Sequence, residues 1–305
     1  MSLKPVNRRE FIKFSSAGIV TACNPWLSFP SPVLAATQSL EIKIDKAVKS
    51  MRHRGLLASN ERTSWSISDF TSAVKLVSIN EDISMQAASM IKPFVAQAFF
   101  IQHSANPALY PYTKNEKHLL ERMIRYSNNK ATNKFIDIVG KQSKRANRPN
   151  KVEHVLKAHH PGLFKQTSIV EYIPSGGKTY LNTASAHDYS RFLHAMWNND
   201  LPLSNEMQYY MGLPNKDRIS TGVPSIPKSV KIYDKTGSTS RMCGDMGIVV
   251  AKDSNGNEFP YTFVGLIDRS ERSGNYTRWI RSRSSIIREI SALTYNHIKT
   301  TYKLA

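Results

Sequence analysis

Residues 88 to 101, ASMIKPFVAQAFFI, are apolar on nearly every side when wound as a helix. Such a helix has no face to offer water, so the other elements must form a shell around it. Pro93 limits where the helix begins. In a helix interior it costs about 3 kcal/mol, whereas in the first turn its missing N–H is harmless, which places the start near Ser89. That start puts a hydroxyl, Ser89, and an amine, Lys92, three residues apart on one face, with the hydroxyl near the positive end of the helix dipole.

The shell can be read around it. The 305 residues, 40% hydrophobic and 21% charged, suffice for about two folding units with a well-buried core. SLEIKIDKAVKSMRHRG reads as an amphipathic helix, TSWSISDF and AVKLVSIN as strands, and KNEKHLLERMIRY, KATNKFIDIVG and TASAHDYSRFLHAMW as helices. Asn182-Thr183 is the expected cap of the last of these. The basic run from 141 to 157 reads as a solvated face or loop. From about residue 229 the period changes to that of strands: SVKIYDKTG, DMGIVVAKD and FPYTFVGLID, the last two joined at Asn255-Gly256, a strong hairpin signal. A closing helix follows, with Trp279, Ile286, Ile287 and Ile290 among its apolar stripe. Strands at both ends around a helical middle predict an α/β (α+β) fold, an antiparallel sheet flanked by helices. Residues 37–88 with 225–305 are expected to form a discontinuous α/β subdomain and 89–224 a helical one.

The N-terminus has a basic start, an apolar stretch from Ile12 to Ala22 and small residues at Ala35 and Ala36, the order of a secretory signal over residues 1 to 36. Asn7-Arg8-Arg9-Glu10-Phe11-Ile12-Lys13 is similar to the twin-arginine export motif, which implies a periplasmic or otherwise exported protein. Val20-Thr21-Ala22-Cys23 is similar to a lipoprotein box, so a lipid anchor at Cys23 competes with cleavage after Ala35 or Ala36, and cleavage fits the small residues better. That cleavage leaves Cys243 as the one thiol, which reads as an inert buried group. Of the net charge of +19, +16 lies beyond residue 36, a balance that attracts anionic envelope components. No helix-turn-helix, zinc-finger or aromatic RNA-binding signature supports nucleic acid as a partner, and the nine histidines show no metal-ligand spacing, so no metal or cofactor is expected.

Three short stretches carry chemistry. Ser89-Met90-Ile91-Lys92 opens the apolar helix, Ser127-Asn128-Asn129 lies between two helical patterns, and Lys235-Thr236-Gly237 occurs once, beside Asp234, on a strand whose lysine should face inward. Taken singly, each has a plainer reading: a helix start with a snorkelling lysine, turn residues, an exposed strand residue. Together and in this order, S-x-x-K, S-x-N and K-T-G resemble the signature boxes of the penicillin-recognising serine enzymes, the class A β-lactamases and penicillin-binding proteins.

The resemblance spans nearly the whole chain beyond residue 36 and implies the β-lactamase/transpeptidase-like fold. It implies catalytic roles for Ser89, Lys92, Ser127 and Lys235, and substrate binding by Asn129, Thr236, Gly237 and Ser238. Ser89 would be the nucleophile and Lys92 its base, neutral because burial and Lys235 repel its proton. Ser127 would pass a proton, Asn129 would hold the substrate amide, and Lys235 with Thr236 its carboxylate. Gly237 would let the strand approach closely, and the backbone N–H groups of Ser89 and Ser238 would form the oxyanion hole.

The resemblance also breaks. Class A enzymes carry a loop glutamate in E-x-x-L-N that activates water for deacylation; here no such pattern exists, an ungapped match puts Gln166 in its place, and Glu171 is the one acid nearby. Asn128 stands where class A enzymes usually have aspartate, and the segment between Ser89 and Ser127 looks shorter than theirs. The expected function is therefore an exported serine hydrolase that forms an acyl-serine with β-lactams or related amides and deacylates weakly. The alternatives are a D-alanyl-D-alanine peptidase acting on peptidoglycan peptides and a non-catalytic basic envelope-binding protein.

Overall fold

The strands from the two ends of the chain meet in one antiparallel sheet. In this computed structural model, which describes residues 32–174 and 181–304, with side chains from residue 40, helix α1 (Pro32–His53) leads into β1 (Glu61–Asp69) and β2 (Val74–Ile79). The carboxy-terminal strands are β5 (Lys231–Ser238), β6 (Met242–Lys252) and β7 (Glu258–Arg269), and the order across the sheet is β2-β1-β7-β6-β5. This is the antiparallel sheet with flanking helices that the resemblance implies. The twin-arginine and lipid-anchor readings, including Cys23, fall on residues outside the described ones, whereas the expected cleavage positions Ala35 and Ala36 lie within α1.

One cross-strand pair shows how the sheet accommodates its largest side chain. Trp65 on β1 lies opposite Gly265 on β7, and a Cβ on Gly265 would sit 2.5 Å from Trp65 Cζ3. Beyond this face, α1 and the terminal helix α8 (Tyr276–Tyr302) pack with Trp65, Phe263 and Ile267 into one apolar cluster. Its buried ion pair joins the start of β1 to α8: Glu61 accepts 2.7 Å bonds from Arg283 Nε and Nη2 and from Trp279 Nε1, and one of 2.8 Å from the Ala58 N–H.

The opposite face carries the other helices. After a short β3 (Met85–Gln86), a 3-10 turn over Ala88–Ile91 leads into α2 (Lys92–Ala105), whose residues 92 to 101 are all buried except in name by polarity: Lys92 and Gln97 are sealed in with the apolar ones. Thus α2 begins three residues later than Ser89, because Pro93 occupies the first α-helical turn and Ser89 sits in the tighter turn before it. The shell comprises α3 (Lys114–Ile124), α4 (Asn129–Val139), α5 (Arg148–His159), α6 (Ala186–Trp197) and α7 (Ser204–Met211). Phe94 packs on Phe164, Tyr189 and Phe192, and Phe99 on Phe135; full burial of each such ring contributes about 1.5–3 kcal/mol.

Three local expectations change. The run from 141 to 157 is largely helix, since Val152, Val155 and Leu156 bury one stripe of α5 while its basic residues face out. Helix α7 has no sequence counterpart in the reading above. Ser185, not Asn182-Thr183, caps α6 by accepting from the Asp188 N–H at 3.0 Å; Thr183 belongs to β4 (Thr183–Ala184), paired with β3.

Removing Glu61 would leave a nearly buried guanidinium and two N–H donors without their acceptor. Glu61→Ala is expected to destabilise the fold by about 3–5 kcal/mol, read as a fall in thermal midpoint of roughly 10 °C.

Candidate active site

Two unusual backbone positions present the hydroxyls. Ala88, just before Ser89, and Ser127, between α3 and α4, have φ of 46° and 53°, the left-handed region that costs non-glycine residues about 1–3 kcal/mol each. Asn128 follows as the cap of α4, its Oδ1 accepting from the Ala131 N–H at 2.9 Å, a task aspartate or asparagine performs equally well. The cap explains why an asparagine is accommodated in the middle box.

These two turns converge on one amine. Lys92 Nζ lies 3.0 Å from Ser89 Oγ, 3.0 Å from Ser127 Oγ, 2.5 Å from the Ser127 carbonyl and 2.8 Å from Asn129 Oδ1. No carboxylate among the described residues pairs with it. A neutral amine has two N–H donors and one lone pair. The two carbonyl-type oxygens take the donors, and the lone pair remains for a hydroxyl proton from Ser89 or Ser127. Burial, and second the positive charge of Lys235, bring the Lys92 ammonium down to about 6.

Lys235 comes from β5, the edge strand of the sheet. It is 3% exposed, and its Nζ donates to the Thr236 carbonyl at 3.1 Å. Burial lowers it to about 8, with Asp234 and Asp245 opposing and Arg218 assisting. Burial also raises Asp234 and Asp245, each with a further push from a neighbouring carboxylate. The same strand reaches the start of α2 at Gly237: a Cβ there would lie 2.9 Å from Met90 Cγ and 3.1 Å from the Met90 nitrogen. Glycine is therefore required by close approach. Thr236 and Ser238 are half-buried along the open edge, next to half-buried Ser89, Ser127 and Asn129. Cys243 is fully buried and its thiol is pushed up by burial, which suits an inert side chain.

The structure adds two residues that the motifs do not mark. Arg218 stands beneath the end of β5. Its Nη2 donates to Ser238 Oγ at 2.5 Å, Nη1 to the Gly244 carbonyl at 2.7 Å, and Nε to Ser284 Oγ at 2.9 Å. It thus adds a buried cation beside the end of β5. Only its nearness in sequence to Asp217 hinted at a charged cluster. The other residue is Ile173. The Asn133 side chain clasps it, donating to its carbonyl and accepting from its N–H, both at 2.8 Å, one helical turn beyond Asn129 on α4. Residue 173, held by this clasp from α4, thus carries an apolar, buried side chain.

Gln166, the position reached by ungapped matching, is tied elsewhere: to Asp82, Ser185 and Arg191 by its side chain and to Asp188 by its N–H. Glu171 is bound to the Leu181 N–H at 2.9 Å, while Asn182 holds the backbone of 170 and 171. Glu81, Asp82 and His187 are the one grouping of candidate metal ligands among the described residues, and Glu81 there is already occupied by Lys75, Ser66 and Ser78.

The profile of the β-lactamase enzyme family matches residues 110–298, and the chain belongs to that family. No curated protein matches. Among solved structures, a variant of PBP-A captured as its acyl-enzyme with penicillin G is 18% identical, covering 87% of this chain and 97% of its own, with a TM-score of 0.62. A class A β-lactamase from Bacteroides cellulosilyticus is 18% identical over 86% of this chain and 99% of its own, with a TM-score of 0.65. An ancestral class A β-lactamase is 15% identical over 84% and 99%, with a TM-score of 0.64.

The two lysines predict a pH profile. With Lys92 as base at Ser89 and Lys235 as holder of a substrate anion, the roles the resemblance implies, reaction at Ser89 is expected to rise with pH through about 6, where Lys92 becomes neutral, and to fall above about 8, where Lys235 loses its charge. Lys235→Met is expected to weaken substrate capture and shift the lower limb to higher pH, because Lys92 loses the neighbouring charge that repels its proton. Acylation rates with a chromogenic cephalosporin between pH 5 and 9 check both.

Proposed function

We propose that the chain is an exported serine acyl-enzyme that opens the cyclic amide of β-lactams at Ser89 and releases the product slowly. The observation that carries this reading is the bonding of Ser89, Ser127 and Asn129 to one buried, carboxylate-free amine. Neutral Lys92 takes the Ser89 proton as Oγ attacks the amide carbonyl. The oxyanion forms against the backbone N–H groups of Ser89 and Ser238, a contribution of about 3 kcal/mol in such sites. As the C–N bond breaks, Ser127 delivers a proton to the leaving nitrogen and recovers one from Lys92. Asn129, whose Oδ1 serves Lys92, has its amide N–H for the substrate's acyl side chain. Lys235 and Thr236, with Arg218 behind them, hold the substrate carboxylate.

Hydrolysis of the ester then needs a base to activate water. Ile173 supplies none, and that favours a second reading for the natural reaction: a D-alanyl-D-alanine peptidase acting on peptidoglycan, in which penicillin is a substrate mimic. The basic, apolar and small-residue zones of residues 1 to 36, with Arg8 and Arg9, support export to the periplasm.

Incubation with a fluorescent penicillin is expected to label the wild type with one equivalent that persists through denaturing electrophoresis. Ser89→Ala should give no label, and Lys92→Ala should label at least about 100-fold more slowly. Absence of label on a folded wild type, without penicillin hydrolysis, contradicts the proposal. Ile173→Glu places a carboxylate on the backbone that Asn133 clasps. In a chase with unlabelled drug, its label should be lost at least about tenfold faster than that of wild type or Ile173→Gln.

A further inference from the structure

The net charge is not spread evenly. Residues 130 to 165 hold nine Lys and Arg against Asp137 and Glu153, so this short stretch carries +7 of the +16 found beyond residue 36. Both acids are spent internally: Asp137 pairs with Arg148 at 2.7 Å and Glu153 with Lys157 at 2.7 Å. Lys130, Lys134 and Lys144 are exposed and in no ion pair among the described residues.

Their placement follows a line. Lys130 directly follows Asn129, whose side chain binds the Lys92 amine, and Lys134 lies one turn further along the same face of α4. Exposed Lys144 precedes Arg145, whose guanidinium stacks over Tyr172 at 5.5 Å. Tyr172 adjoins Ile173 and donates to Asp137 at 2.7 Å, so this end of the line borders the loop beside the crevice. A basic track, Lys130 and Lys134 on α4 with Lys144 and Arg145 beyond its end, therefore borders the candidate site and its adjoining loop. Like charges held within a few residues of one another repel, and nothing in the packing of α4 calls for them, because its buried face is Ala131, Phe135, Ile136 and Val139.

We infer that this track seats the acidic stem peptides of peptidoglycan, so that the wall strand carrying the scissile amide lies along α4 while its terminal peptide enters the crevice. The inference rests on the peptidase reading, and it names the part of the substrate held away from Ser89. Penicillin has no such extension and ignores the track, whereas a stem peptide presents repeated carboxylates that match the spaced ammonium groups. The attraction supplies capture and orientation and is screened by salt.

The test is co-sedimentation of the protein with purified sacculi, alongside fluorescent penicillin labelling of the same preparations. Wild type should sediment at low ionic strength and be released by about 0.5 M NaCl. The triple variant Lys130→Glu, Lys134→Glu, Lys144→Glu should bind sacculi at least about tenfold more weakly, with penicillin labelling within about twofold of wild type. The neutral triple variant to Gln should move the same way by a smaller factor, and should decide the matter if the Glu triple does not label. A control on α1 and the turn that ends it, Lys43→Glu, Lys46→Glu, Arg54→Glu, should leave binding unchanged. Unchanged sacculus binding by the α4 triple, equal loss in the α1 control, or displacement of sacculi from wild type by a small molar amount of duplex DNA overturns the inference. Sacculus binding by a wild type that penicillin does not label would instead overturn the reading of the site and leave the track standing.

Discussion

Two lysines are buried within reach of each other's charge, and the rest of the structure is organised around making that tolerable. Lys92 is fully buried without a counter-ion, and Lys235 is 3% exposed. In water each would be charged; brought together under protein, both lose solvation and each disfavours the other's proton. The least costly outcome is for one to give up its charge. Lys92 is that one, because Lys235 has Asp234 and Asp245 beside it and Lys92 has only neutral oxygens. A buried amine with a free lone pair beside a serine is a base, so the packing problem and the chemistry are the same arrangement.

Holding it together falls to elements far apart in sequence. The apolar shell around α2 fixes the amine, the edge strand β5 brings Lys235, and Gly237 lets that strand lie against Met90. The left-handed turns at Ala88 and Ser127 aim the two hydroxyls, and their strain is offset by the rigid structure on either side. Asn133 and Asn182 then hold the adjoining loop by backbone groups, so the residue placed near the site is set by the clasp and its chemistry by the side chain at 173.

How much of this could be read beforehand depended on whether the signal was local. The all-apolar helix with Pro93 in its first turn, the strand-forming runs of the last three strands and the Asn255-Gly256 turn are properties of neighbouring residues, and the sheet-and-helix class follows from them. Ser89, Lys92, Ser127 and Lys235 were legible because spacing and context together restrict what they can do. Arg218 was not, since its role comes from lying under β5, a contact no local pattern encodes. Ile173 was missed for a related reason: ungapped matching led to Gln166, while the clasp from Asn133 depends on how the loop is folded. In α5, dense positive charge hid the stripe of Val152, Val155 and Leu156, and at α6 a cap was assigned to Asn182-Thr183 because Asn182's partners, Val170 and Glu171, lie on the other side of the loop.

The central claim is that Lys92 is neutral near pH 7 while Lys235 keeps its proton. Carbon-13 labelling of lysine side chains, with Lys92→Ala used to assign the resonance, allows each ammonium to be titrated by NMR in the free protein. A Lys92 signal that titrates near 6 and a Lys235 signal near 8 are expected. A Lys92 signal that remains that of a protonated ammonium up to about pH 10, the range of an ordinary lysine, would contradict the claim.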